Sequence, residues 1–108
     1  MRRVMVRYQV KPEHLEENEA LLRAVYEELE ATQPENLAYV TFKLDDGVTF
    51  VHVTEDDATP GHSPLNELPS FKRYLEDVQE RLEAPPEQSG LTEIGAFRVF
   101  TSREDEAA

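Results

Sequence analysis

ENLAYVTFKLDDGVTFVHVTE, residues 35–55, holds two apolar runs that meet at Asp45-Asp46-Gly47. An Asp-Gly pair between alternating hydrophobic runs predicts a β-hairpin. A two-residue turn at Asp46-Gly47 pairs Asp45 with Val48. Ala38, Val40, Phe42 and Leu44 then share a face with Val51 and Val53, and Leu37, Tyr39, Thr41 and Lys43 share the other with Val48, Phe50 and His52. A three-residue loop with a glycine bulge would mix these sets. In the first register both faces carry large apolar side chains. Helices of a small domain cover one face of a sheet, so the second calls for another copy of the chain. On this reading His52 lies on the face turned to the partner.

Working outward, Val4, Val6, Tyr8 and Val10 alternate with Met5, Arg7 and Gln9, which predicts a first strand over Arg3–Val10. Lys11-Pro12 starts a helix, with Glu13, Glu16 and Glu17 against the positive end of its dipole. Leu15, Leu22, Val25, Tyr26 and Leu29 form a core stripe, and Thr32-Gln33-Pro34 ends the helix. After the hairpin, 55–64 is an acidic, turn-rich loop of functional length. A second helix starts at Pro69, presents Phe71, Tyr74, Leu75, Val78 and Leu82, and stops at Pro85-Pro86. LTEIGAFRVF predicts a last strand from Leu91 or Thr92 to Phe100, whose faces a bulge at Gly95 would re-register. Residues 102–108 are expected to be an acidic, disordered tail on a single domain of residues 1–101. The order β-α-β-β-α-β predicts an α+β ferredoxin-like sandwich, one antiparallel four-stranded sheet with two helices on one face.

Composition narrows the function classes. At 108 residues the chain supports one two-layer core. Eleven basic against twenty-three acidic residues give a net charge of -12, which repels nucleic acid and anionic membrane surfaces. The sequence has no cysteine, hence no disulfide and no thiolate ligand or nucleophile. Charge interrupts the N-terminus too early for a signal-peptide core, and no run is long enough to span a bilayer, so a cytoplasmic location is expected. His14, His52 and His62 are not spaced as a metal set, and Glu55-Asp56-Asp57 reads as a solvated charge run, so no metal is expected.

A short first strand runs into Val10-Lys11-Pro12-Glu13-His14, and Ser63-Pro64-Leu65, Leu68-Pro69-Ser70-Phe71 and Phe71-Lys72-Arg73-Tyr74-Leu75 follow the third strand. In these respects residues 3–100 resemble the antibiotic-biosynthesis-monooxygenase-like group of the dimeric α+β barrel superfamily. The resemblance implies a homodimer whose two sheets face each other as a barrel, with a pocket between each sheet and its own helices. It implies oxygenase chemistry on phenols without metal or organic cofactor, haem degradation, or action on small signalling molecules. The haem-degrading branch uses an asparagine on strand one and a tryptophan and a histidine on helix two. This chain has no tryptophan, its first strand has no asparagine, and Leu75 stands at the histidine position, which disfavours haem degradation. The quinone-forming branch is matched in part, at Asn66.

His52 and Tyr39 are the candidate catalytic residues: a strand imidazole facing a pocket can act as a base near neutral pH, and a tyrosine can orient a phenol. The ordinary reading of His52 is a hydrogen-bonded interface residue, and of the tyrosines, packing. Asn66, Tyr74 and Arg98 are candidate ligand-binding residues. Asn66 and His62 equally suit a turn, and Arg7 and Arg98 equally suit intersubunit salt bridges. Three functions remain open: a cofactor-independent monooxygenase acting on an aromatic molecule, a non-catalytic dimer binding a small hydrophobic ligand, and a structural dimer whose pocket is filled by Phe42, Phe71 and Phe97.

Overall fold

The computed structural model describes residues 2–57 and 62–99. Strand β1 (Arg2–Gln9) leads through a 3-10 turn (Pro12–His14) into helix α1 (Leu15–Thr32). Strands β2 (Leu37–Lys43) and β3 (Thr49–Asp56) form the hairpin. A 3-10 turn (Pro64–Glu67), helices α2 (Pro69–Leu75) and α3 (Val78–Arg81), and strand β4 (Glu87–Gly90) complete the order. All pairings are antiparallel and the sheet order is β2-β3-β1-β4, the ferredoxin-like arrangement.

The hairpin register is the one expected, since Val40 faces Val53, Thr41 faces His52 and Lys43 faces Phe50. The turn differs. Gly47 N–H closes on the Leu44 carbonyl at 3.0 Å, Gly47 adopts φ +81°, and Leu44 pairs with Thr49 across a four-residue loop. Both loop lengths add an even number of residues, so the alternation of faces is unchanged. Asp46 accepts from the Val48 and Thr49 amides at 2.9 Å each and holds the loop.

The faces are assigned the other way round. Tyr8, Val10, Phe50 and His52 are buried beneath α1 and α2 together with Leu22, Val25 and Tyr74. The face with Ala38, Val40, Phe42, Val51 and Val53 is the one the helices leave open. His52 is therefore in the core of its own chain and not at a partner-facing surface, because alternation defines two faces but does not say which one meets the helices. Phe42 and Phe97 belong to the open side and are 43% and 82% exposed, so they do not fill a helix-side pocket; Phe71 alone packs there.

Two further expectations change. The second helix is broken at Asp77, whose left-handed φ of 56° separates α2 from α3. The last strand is Glu87–Gly90, ahead of the Leu91–Phe100 expected. Leu82 already bridges Val10, which delivers the chain to the β1 edge, where Val4 pairs with Gly90 and Arg7 with Glu87. After Leu91 N–H bonds the Arg3 carbonyl, that register runs off the described end of β1, and among the described residues 92–99 pair with no strand. Residues 58–61 of the acidic loop, Phe100 and the expected tail 102–108 lie outside the described residues.

Candidate functional site

Strand register explains how the polar residues of the helix-side face meet. His52 is on β3, flanked by β1 and β2, directly opposite Val6 on one side and Thr41 on the other. Its diagonal neighbours on the same face are Tyr8 and Tyr39, whose long rings reach back toward it. Tyr39 Oη lies 2.5 Å from His52 Nδ1 and Tyr8 Oη lies 2.7 Å from Nε2.

The helices supply the rest. Glu28 of α1 accepts the Ser70 amide of α2 at 2.9 Å, which ties the start of α2 to α1 and brings Tyr74 over the sheet. Tyr74 Oη donates to Tyr8 Oη at 2.5 Å. Asn18, fully buried on the core stripe of α1, stands 3.5 Å from the same oxygen and accepts from Arg81 Nε at 3.2 Å. Arg81 is 3% exposed and donates to the Tyr74 carbonyl at 2.6 Å and the Glu76 carbonyl at 3.1 Å, with its guanidinium 5.3 Å from the Tyr74 ring centre. Among the described residues no carboxylate pairs with it. The fork geometry of Arg satisfies neutral acceptors in three directions, as an ammonium would not.

Counting protons fixes the direction of the chain. Tyr8 Oη accepts from Tyr74, so its own proton goes to His52 Nε2. His52 then carries its hydrogen on Nδ1 and donates it to Tyr39. Tyr39 in turn is within reach of the Thr41 hydroxyl, which lies 2.7 Å from Tyr26 Oη. The sequence Tyr74→Tyr8→His52→Tyr39 is thus a run of donors that polarise one another.

Burial keeps every member neutral. It pushes the His52 pKa down to about 4, and raises those of Tyr39, Tyr74 and Tyr8; Tyr26 is pushed up to about 12. Desolvation is the leading cause throughout, since it disfavours imidazolium and phenolate alike. All four tyrosines of the sequence are in this one cluster: Tyr26 stacks on Tyr39 with ring centres 5.3 Å apart, and Phe71 meets Tyr39 edge-on at 6.3 Å.

Of the residues singled out by sequence, His52, Tyr39 and Tyr74 come together here. Asn66 does not: it is exposed on the turn Pro64–Glu67, where its amide bonds the Ser63 carbonyl. Arg98 is also elsewhere, exposed beside the Phe97 ring and lining a groove of about 620 Å³ on the open side of the sheet with Val40, Phe42 and Val53. Sequence reasoning passed over Tyr8, Asn18 and Arg81. Each carried a signal, because each is a polar-tipped residue in the core phase of its element: Tyr8 with Val6 and Val10, Asn18 four residues before Leu22, and Arg81 three after Val78. Among the described residues no group of three or more His, Cys, Asp or Glu could hold a metal ion, and no helix is long and apolar enough to cross a membrane.

Several solved structures share this fold. The crystal structure of an antibiotic biosynthesis monooxygenase superposes with a TM-score of 0.71 at 19% identity, covering 88% of this chain and 100% of that one. The Mycobacterium tuberculosis protein Rv0793 gives 0.69 at 20% identity, covering 88% and 96%. A conserved protein from Methanosarcina mazei gives 0.67 at 21%, covering 83% and 89%. At these identities the likeness establishes the fold and nothing finer. No curated protein matches the chain. The profile of the antibiotic biosynthesis monooxygenase family matches residues 1–55, just over half of the sequence, from β1 to the end of the hairpin. The chain belongs to the antibiotic biosynthesis monooxygenase family.

Proposed function

We propose that the protein is a cytoplasmic homodimer that binds a small hydroxylated aromatic molecule between sheet and helices and oxygenates it without metal or organic cofactor. The observation that carries this reading is the donor chain ending at Tyr39. Its last hydroxyl can donate to a ligand oxygen, and the three donors behind it, with buried Arg81 beyond them, favour negative charge at that point. A phenol bound there is stabilised as its phenolate, the electron-rich form that gives an electron to dioxygen. His52 acts in this scheme as a neutral relay that positions Tyr39, since both of its nitrogens are engaged. The stoichiometry closes without an external reductant. One oxygen atom of O₂ enters the ring, the other leaves as water with the phenolic and ring hydrogens, and the phenol becomes a quinone.

The dimer rests on the open sheet face. Val40 and Phe42 are 40% and 43% exposed, and Phe97, which lines the same groove, is 82% exposed, a grouping of large apolar side chains of the kind that marks an interaction surface. A second reading, a non-catalytic ligand-binding dimer, is favoured by the closure of the cluster: His52, Tyr8 and Tyr74 are each no more than 6% exposed. Oxygen uptake with a panel of hydroxylated mono- and polycyclic aromatics separates the two. The catalytic reading expects uptake above buffer that falls sharply in Tyr39→Phe; uptake equal to buffer across the panel, with saturable binding retained, leaves the binding reading.

A further inference from the structure

A ligand that is to meet Tyr39 needs a way in, and the surroundings of Tyr26 provide one. Tyr26 projects from α1 onto the sheet at its β2 edge. Its ring stacks on Tyr39 at an interplanar angle of 15°, and its hydroxyl bonds Thr41, the residue that also faces Tyr39. On one side of it lies a groove of about 220 Å³ floored by Leu22, Phe50 and Thr41, with Arg23, Glu19 and Lys43 at its rim. On the other lies a groove of about 200 Å³ between Leu29, Pro34, Leu37 and Tyr39. Tyr26 lines both and is the wall between them. Each groove alone is smaller than ordinary small-molecule sites.

We infer that the space filled by the Tyr26 phenol is a binding subsite for a hydroxylated aromatic ring, in which Tyr26 stands in for the ligand and gates its access from the α1–β2 edge. The contacts Tyr26 makes are those such a ligand requires: a ring face on Tyr39, and a hydroxyl on Thr41 next to the donor end of the Tyr39 chain. When the Tyr26 side chain rotates away, the two grooves join and the joined space reaches the Tyr39 hydroxyl. Rotation breaks one hydrogen bond and one ring stack, a cost that a replacing ring recovers through the same two contacts. The inference rests on the aromatic-ligand reading above and adds to it the position, the route and the residue that controls it.

The test measures access to His52 directly. Acylation by diethyl pyrocarbonate near neutral pH, followed by mass spectrometry of the His52 peptide, needs the imidazole to be reachable and unprotonated, and exposed His62 serves as internal reference. Tyr26→Ala is expected to accelerate acylation of His52 at least about tenfold, as the open population rises. Tyr26→Phe keeps the ring and the fold and loses only the bond to Thr41, and is expected to accelerate it about fivefold. Leu15→Ala, which opens space at the other end of the same helix and lines neither groove, is expected to leave the rate at the wild-type value. Saturating 2-naphthol should restore slow acylation in Tyr26→Ala. Wild-type rates in both Tyr26 variants, equal acceleration by Leu15→Ala, or no protection by 2-naphthol would each overturn the subsite. Oxygen uptake by the wild type that is unaltered in Tyr26→Ala would overturn it while leaving the catalytic reading intact. Protection by 2-naphthol without uptake supports the subsite and counts against catalysis alone.

Discussion

Acid should destabilise this fold through a single buried imidazole. His52 is 5% exposed, and desolvation lowers its pKa from 6.5 to about 4, whereas in the unfolded chain it titrates at its ordinary value. Between these two values the unfolded state binds more protons than the folded one. Stability therefore rises with pH across that window: the His52 contribution is intact above pH 6.5 and is lost progressively as pH falls toward about 4. The full gap corresponds to about 3 kcal/mol, of which about 2 kcal/mol is lost by about pH 5. The sequence also carries twenty-three acidic residues, so the measurement must be differential. His52→Gln keeps hydrogen-bonding capacity and cannot ionise. Urea unfolding of both proteins, at one fixed protein concentration, should show the wild-type midpoint falling relative to the variant by roughly 1 M between about pH 7 and about pH 5. Parallel pH dependences, or a His52 titration by NMR near its ordinary value, would refute the reasoning, because an imidazole held between two tyrosine hydroxyls in a dry core cannot protonate there.

Other outcomes follow from the same contacts. Tyr8→Phe removes the oxygen that joins His52 to Tyr74 and should cost about 2–4 kcal/mol in chemical denaturation, against about 1 kcal/mol for Tyr39→Phe at the end of the chain. Arg81→Lys keeps the charge but not the three-directional fork, and is expected to lose about 2 kcal/mol, read from the urea midpoint. Leu22→Ala, beneath the sheet in the buried stripe of α1, should cost about 2–4 kcal/mol with no change in the far-ultraviolet spectrum of the folded state. Phe42→Asp on the open face should leave the fold intact and shift sedimentation at micromolar concentration from dimer to monomer; a wild-type protein that already sediments as a monomer contradicts the dimer proposal.

The hairpin was legible because residue alternation and a turn fix register even when the turn type is misread. Two-residue and four-residue loops between Lys43 and Thr49 leave Thr41 opposite His52 alike. Which face meets the helices was not legible, since Val40, Phe42 and Val53 are as apolar as Leu37, Phe50 and Tyr39, and the choice is made by packing. The last strand was invisible for a different reason. Glu-Gln-Ser-Gly has no apolar alternation, and it is a strand because β1 offers an edge at Val4–Arg7. The break at Asp77 was hidden by a stripe from Phe71 to Leu82 that keeps helical spacing across it. In the candidate site, His52, Tyr39 and Tyr74 could be picked out as polar groups on core elements. Their joining through Tyr8, and the support from Asn18 and Arg81, needed the third dimension: β1 meets α2, and α1 meets α3, across more than sixty residues of sequence.

The most direct measurement is the NMR response of the His52 ring and of the side-chain methyls on the two sheet faces to titration with a hydroxylated aromatic such as 2-naphthol. Saturable shifts at His52 and at Leu22 and Leu37, with Met5, Val51 and Val53 unmoved, are the expected result, because the ligand enters between sheet and helices and meets the Tyr39 end of the chain. Shifts confined to Met5, Val51 and Val53, with the His52 ring unchanged at saturation, would place the ligand on the open face and contradict the account.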